Sequence, residues 1–265
     1  MERPDPAAVA RLADTLRSAS NVAVLTGAGV SAESGLATFR DKEEGLWSKY
    51  DPMELAHIDA FNRDPELVTR WYHWRFTRAR ECEPNAGHIA LAGLQRWFRS
   101  RGGDLALITQ NVDGLHQRGG AADVIEIHGT ILTWRCLATG AHVELDEIGF
   151  DTFPPSSDAG GLLRPNVIWF GESLPPEALE AAEQAISACD VFVSIGTSGM
   201  VWPAAGFIEE AKSRGAATAE INLEPTPMTD QVDVSLLGPS AVVLPSVAEA
   251  VGVTMFRDNW FHSDP

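Results

Sequence analysis

The chain has 265 residues, 45% hydrophobic and 22% charged, the proportions of an ordinary globular protein with room for one large domain or a large and a small one. A formal net charge of −17 argues against a broad basic surface for nucleic acid, and no apolar run approaches the length of a membrane span. Three cysteines make no disulfide framework, and the acidic, helical start MERPDPAAVARLADTL does not read as a secretory signal, so the expected location is the cytoplasm.

In chain order, Val9, Leu12 and Leu16 share one helical face ahead of VAVLT (22–26), the first of seven short apolar runs. Residues 43–85 then hold helical patterns rich in aromatics and no strand candidate. Around WYHWRFTRAR (71–80), Leu67, Trp71 and Trp74 form an apolar stripe, with Val68, Tyr72 and Arg75 on a neighbouring mixed face. An arginine placed there either lays its stem over aromatics and reaches water, or serves a site. A helix carrying Leu91, Leu94 and Phe98 leads to LALIT (105–109) and VIEI (124–127). Residues 133–164 are mixed and end near the loop-like FPPSSDAGG. VIWF (167–170), the helix PPEALEAAEQAIS, VFVSI (191–195), ATAEI (217–221) and AVVLP (241–245) follow. Runs this short and unbroken suit strands buried on both faces. The alternation predicts an open α/β parallel sheet with helices on both faces. Its expected extent is 1–42, 86–132 and 165–256, with a smaller lobe made from two insertions, 43–85 and 133–164.

Polar clusters follow the strands directly, where open α/β sheets bind ligands: GAGVSAESGLATFRD, QNVDGLH, HGT, GTS and NLEP. Gly27-Ala28-Gly29 resembles a dinucleotide fingerprint, but Ala32 stands where its third glycine belongs, which weakens a hydride-transfer reading. Glycines there let backbone N–H groups approach a pyrophosphate, and Arg40 offers a charged fork. Gln110, Asn111 and Asp113 could hold a carboxamide ring and a ribose, or make an Asx-rich turn. His128, at a strand's carboxyl end, is a general-base candidate. The other histidines receive no catalytic role.

These motifs, with RPNVIWFGE, GTSGMVWPAAGF and INLEP, stand in the order and spacing of the sirtuin family of NAD-dependent protein deacylases, which the chain resembles from about residue 20 to about 250. The resemblance implies a Rossmann-like NAD-binding domain. It also implies attack of the acyl oxygen of a modified lysine on the nicotinamide-bearing ribose carbon of NAD, with loss of nicotinamide. His128 would then act as base toward a ribose hydroxyl, giving free lysine and O-acyl-ADP-ribose. Asn111 and Asp113 would line the nicotinamide pocket, with Gln110 near the ribose. Gly27, Ala28, Gly29, Ala32, Thr38, Phe39 and Arg40 belong by motif to the phosphate loop and its lid. Gly196, Thr197 and Ser198 would hold phosphate and ribose, and Asn222 and Glu224 the adenosine ribose. The acyl-lysine segment of a protein would lie as an extended strand against Val167, Trp169, Phe170, Gly171 and Glu172. Tyr72 and Arg75 match the Tyr-x-x-Arg pair of the bacterial and mitochondrial-type members that remove succinyl or malonyl groups.

One part of the family pattern is missing. Cys136 stands where the first zinc-binding Cys pair begins, but Thr139 takes its partner's place, and no cysteine occurs between 137 and 188. One thiolate cannot hold a tetrahedral structural zinc, so no metal is expected. Packing by Leu132, Trp134, Leu145, Ile148, Phe150 and Phe153 would replace it. Two other functions use the same pocket: ADP-ribosyl transfer or NAD hydrolysis, and a non-catalytic NAD-sensing module.

Overall fold

The structure is a computed structural model that describes residues 4–36, 45–158 and 160–254. Its strands are β1 (Asn21–Thr26), β2 (Asp104–Thr109), β3 (Ile125–Glu126), β4 (Gly129–Cys136), β5 (His142–Glu144), β6 (Leu163–Val167), β7 (Val191–Ile195), β8 (Ala217–Asn222) and β9 (Val234–Leu237). Its helices are α1 (Pro6–Ser18), α2 (Gly29–Ala32), α3 (Pro52–Leu55), α4 (Ile58–Arg63), α5 (Pro65–Glu81), α6 (Ala86–Ser100), α7 (Leu115–Arg118), α8 (Pro176–Ala188), α9 (Phe207–Ser213) and α10 (Ser240–Val251).

Six parallel strands form one sheet in the order β3-β2-β1-β7-β8-β9. Val24 of β1 stands between Leu107 and Val193 in register, and all three are buried. Such strands need cover on both faces. On one side Leu12 of α1, Leu91 and Phe98 of α6 and Leu244 of α10 close over Val24 and Leu107. On the other, Ile186 of α8 with Phe207 and Ile208 of α9 close over Leu25, Ile108 and Phe192. The helices begin where the sequence signals: the Asp5 carboxylate accepts from Ala7 N at 3.0 Å with Pro6 in the first turn, and Asn85 and His88 form a reciprocal capping box on α6. This is a Rossmann-like fold. Among the described residues no helix is long and apolar enough to cross a membrane.

A second, antiparallel sheet has the order β5-β4-β6. Its Ile131, Trp134, Leu163 and Val167 share one core with Trp47, Phe61, Trp71, Tyr72 and Phe76, so the two inserted segments form one small lobe.

Several expectations change. AVVLP is not a strand but the first half of α10, where Val243, Val247 and Val251 share a buried face at i, i+4 and i+8 despite Pro245. Only Val167 of VIWF lies in a strand. The sheet's last strand is instead β9, from VSLL, an edge strand with one well-buried face. On α5 the mixed face is the buried one. Val68, Tyr72 and Phe76 point into the lobe core beside Trp71, while Leu67 and Trp74 are only partly buried.

Candidate active site

At the carboxyl edge of the large sheet, β1 runs into Gly27 and turns into α2. Gly27 N donates to Ile195 O at 2.9 Å and Gly29 N to Gly196 O at 2.8 Å. A Cβ on either glycine would meet the Gly196 backbone at 2.8 Å. These glycines therefore let the β1 and β7 loops touch, and their N–H groups are already used. Of the three loop residues, Ala28 is the one whose N–H no described residue takes. Ala32 closes α2, donating to Ala28 O at 3.1 Å. Gly196 sits at φ +60°, where a side chain is strained. Thr38, Phe39 and Arg40 lie outside the described residues.

Thr197 ties the crevice together. Its hydroxyl accepts from Gln110 Nε2 at 3.0 Å and its carbonyl from Asn222 Nδ2 at 2.8 Å. Ser198 lies beside it, half-buried, and Glu224 is exposed on the loop after β8. That loop is anchored from below by buried Glu220, which accepts from the hydroxyls of Thr226 and Thr229.

Asn111 and Asp113 converge on Ser31. Asn111 Nδ2 donates to Gly27 O and to Ser31 Oγ, both at 3.1 Å, and Ser31 Oγ donates to Asp113 Oδ2 at 2.8 Å. The other Asp113 oxygen accepts from Leu115 N at 2.9 Å. Burial pushes the Asp113 carboxyl above its ordinary range, and these two hydrogen bonds oppose the rise. Beneath lie residues to which the sequence reading gave no role. His116 Nε2 bonds Thr26 Oγ1 at 2.9 Å, and Thr26 donates to Thr109 at 2.8 Å. His88 stands 4.9 Å from the His116 ring. Burial pushes His88 down to about 4 and His116 to about 3, so both are neutral at pH 7. Ser31 and His116 sit inside quoted motifs, which was the available signal.

His128 is half-buried just before β4. Its Nδ1 lies 3.1 Å from Gln110 O, which makes Nδ1 the protonated nitrogen and leaves the Nε2 lone pair as acceptor. Burial holds its pKa below the ordinary imidazole value, and the Gln110 carbonyl opposes that shift. The His128 carbonyl in turn accepts from Ile168 N at 2.9 Å, fixing the base to the segment that follows β6.

That segment is less open than an edge strand. Phe170 N donates to Ala56 O at 2.8 Å, and Phe170 O accepts from Ile58 N at 3.0 Å. Val167 is buried opposite Gly129. Gly171, at φ +87°, turns the chain beside His57. The Glu172 carboxylate is engaged within the chain. It takes two hydrogen bonds from Arg164, at 2.6 and 2.8 Å, and one from Trp169 N at 2.9 Å. Among the described residues the Ile168 carbonyl and the Gly171 N–H have no main-chain partner.

Across the lobe core, Tyr72 is buried and its hydroxyl has no hydrogen-bond partner among the described residues. Burial raises its pKa, with the Arg75 charge acting against the rise, so the phenol is a neutral donor. The Arg75 guanidinium lies 5.1 Å above the Trp71 ring, and its charge is felt by both Tyr72 and Asp113.

The donors around Cys136 do not fit a structural zinc. Its thiol meets the Ser157 hydroxyl at 3.3 Å, and Thr139 Oγ1 accepts from Ala141 N at 3.2 Å. The Ser157 and Thr139 contacts pull the thiol down to about 7. Main-chain bonds close the turns that a metal would hold: Ser157 N to Gly161 O at 2.8 Å and Leu137 N to Leu162 O at 2.9 Å. Among the described residues no three His, Cys, Asp or Glu side chains gather as ligands. His73 packs against Phe150, tilted at 4.2 Å, and edge-on to Phe153 at 5.5 Å, both in the expected apolar set.

Residues 27–203 match the Sir2 family. The chain belongs to the Sir2, or sirtuin, family. It is 48% identical over 240 residues to NAD-dependent protein deacylase 2 of Pyrobaculum aerophilum, covering 91% of this chain and 94% of that protein. Among solved structures it resembles a Sir2 homolog–NAD complex, with a TM-score of 0.85 and 42% identity over 91% of this sirtuin and 93% of that chain. A Sir2 homologue mutant in complex with 2′-O-acetyl ADP ribose gives 0.83 and 43% identity, covering 91% of this chain and 95% of that one.

Proposed function

We propose that this sirtuin is an NAD-dependent protein-lysine deacylase that removes acetyl and, through Tyr72 and Arg75, succinyl or malonyl groups. One water is consumed, and the products are nicotinamide, O-acyl-ADP-ribose and free lysine. NAD supplies the ribose carbon that accepts the acyl oxygen and the nicotinamide that leaves. The residues of this chain do the rest. Asn111 and Asp113, held by Ser31, line the nicotinamide end, while Ala28, Gln110, Thr197, Ser198, Asn222 and Glu224 line the remainder of the crevice. His128, neutral with Nε2 open, takes the proton of a ribose hydroxyl.

The observation that carries the acidic-acyl reading is the buried Tyr72 hydroxyl, a donor without an acceptor, one helical turn from Arg75. Buried donors are almost always paired, so an orphan at a site points to a missing ligand group. The short free stretch at Ile168 and Gly171 favours a main-chain grip with little sequence preference, on lysines of many proteins. The strongly acidic chain favours such basic segments over nucleic acid or membrane, in the cytoplasm. We take 1–42, 86–132 and 165–256 as the NAD-binding domain and 43–85 with 133–164 as the small lobe.

The test is incubation with NAD and matched acetyl-lysine and succinyl-lysine peptides, with products followed by mass spectrometry. Acyl-dependent nicotinamide release together with O-acyl-ADP-ribose supports the reading. Nicotinamide release without acyl peptide points to NAD hydrolysis, ADP-ribose on protein to transferase activity, and no product at all to an NAD-sensing module.

A further inference from the structure

Tyr72 is not the only orphan donor in this core. The Trp169 indole Nε1 is also buried without a partner among the described residues, and the two rings stand 5.9 Å apart. The indole N–H comes near enough to the Tyr72 oxygen to lower its pKa, yet the pair falls outside hydrogen-bond geometry. Both groups are neutral, and an indole N–H can only donate. Two buried donors side by side in one core, neither with a partner among the described residues, call for an acceptor from elsewhere.

The indole is held firmly. The Arg164 guanidinium lies 3.4 Å from the ring centroid and Phe61 stacks at 4.8 Å. Arg164 is itself clamped by Glu172, which also binds the Trp169 main-chain N–H at 2.9 Å. Arg75 and Arg164 both act on Tyr72 as positive charges, with Glu172, the partner of Arg164, acting against them. A carboxylate is the acceptor that such a set of fixed donors and cations suits.

We propose that Trp169 is a specificity-determining residue, its indole N–H acting with the Tyr72 hydroxyl as a paired donor to the distal carboxylate of a succinyl-length acyl group. This rests on the acidic-acyl reading and adds a third side chain to it. Tyr72 and Trp169 supply direction, and Arg75 supplies charge.

The experiment compares kcat/KM for succinyl-lysine and acetyl-lysine peptides in the wild type, Arg75→Met and Trp169→Phe. Phenylalanine keeps an aromatic ring and removes the N–H. The expected result is a succinyl-to-acetyl ratio about ten-fold or more lower in Trp169→Phe, the effect of one hydrogen bond to a charged group. A wild type without succinyl preference overturns the acidic-acyl reading and this inference together. A wild-type preference that falls in Arg75→Met but persists in Trp169→Phe overturns this inference alone. If Trp169→Phe does not fold, a crystal structure of the wild type with a succinyl-lysine peptide decides. The inference requires Nε1 at hydrogen-bond distance from the acyl carboxylate, and any other acceptor on Nε1 overturns it.

Discussion

The Nδ1 atom of His128 lies 3.1 Å from the main-chain oxygen of Gln110, so one residue of the loop after β2 sets the tautomer of this imidazole, the proposed base. A base works deprotonated, and burial keeps this imidazole's pKa below its ordinary value of 6.5. Activity is therefore full at neutral pH and is lost as pH falls through a value below 6.5. A kcat/KM profile with its acid limb above 6.5 contradicts this assignment. His128→Ala lowers kcat by about 10²–10⁴-fold, the usual range for a positioned base.

His88 and His116 make the fold sensitive to acid. Their folded pKa values, about 4 and about 3, are below the ordinary 6.5, so the unfolded chain binds more protons between those limits. Their stabilising contribution is complete above pH 6.5 and drains away as pH falls toward 4. Each pH unit in that window costs on the order of 1 kcal/mol per histidine. Urea unfolding at pH 7.5, 6 and 5 measures it, and His88→Gln should flatten the dependence.

Ser31 is expected to behave as a positioning residue. Ser31→Ala removes the hydroxyl shared by Asn111 and Asp113, leaving a buried carboxylate oxygen without its donor. The cost is about 1–3 kcal/mol at the pocket. Steady-state kinetics should show a drop in kcat of about ten-fold or more, since a misplaced nicotinamide end slows the step itself. A rise in KM for NAD with kcat unchanged would instead make Ser31 a plain binding residue.

Glu172 is expected to matter for stability. Burial pushes its carboxyl up, but the Arg164 hydrogen bonds outweigh that and hold it below the ordinary value. Its contribution is thus present at neutral pH and lost as pH falls through that lowered value. Glu172→Ala leaves the Arg164 guanidinium, 2% exposed, without its partner. Breaking a buried pair from one side costs about 3–5 kcal/mol. Thermal unfolding should show a clear fall in Tm, and an unchanged Tm would contradict the structural role.

Strands β1, β2, β7 and β8 were legible because both faces are covered, which leaves unbroken apolar runs in the sequence. The same logic misread AVVLP, where a helix buried by α1 and α6 begins with five apolar residues and carries its periodicity past Pro245. β9 hid because an edge strand of four residues alternates too briefly to stand out. His128, Asn111 and Thr197 stand out in the sequence because each lies just past the end of a strand. The Arg164–Glu172 pair was not, since it joins residues eight apart across a turn that only the fold creates. The used N–H groups of Gly27 and Gly29 were equally invisible, because the β7 loop that takes them lies far along the chain.

Tyr72 and Arg75 are proposed to read a carboxylate on the acyl group. The most direct measurement is the ratio of kcat/KM for succinyl-lysine over acetyl-lysine peptide of matched sequence, in the wild type and in Arg75→Met. The account predicts a succinyl preference that falls by about ten- to one-hundred-fold in Arg75→Met, the effect of one charge-assisted hydrogen bond inside a pocket. Equal losses on both peptides, or no preference in the wild type, would contradict it.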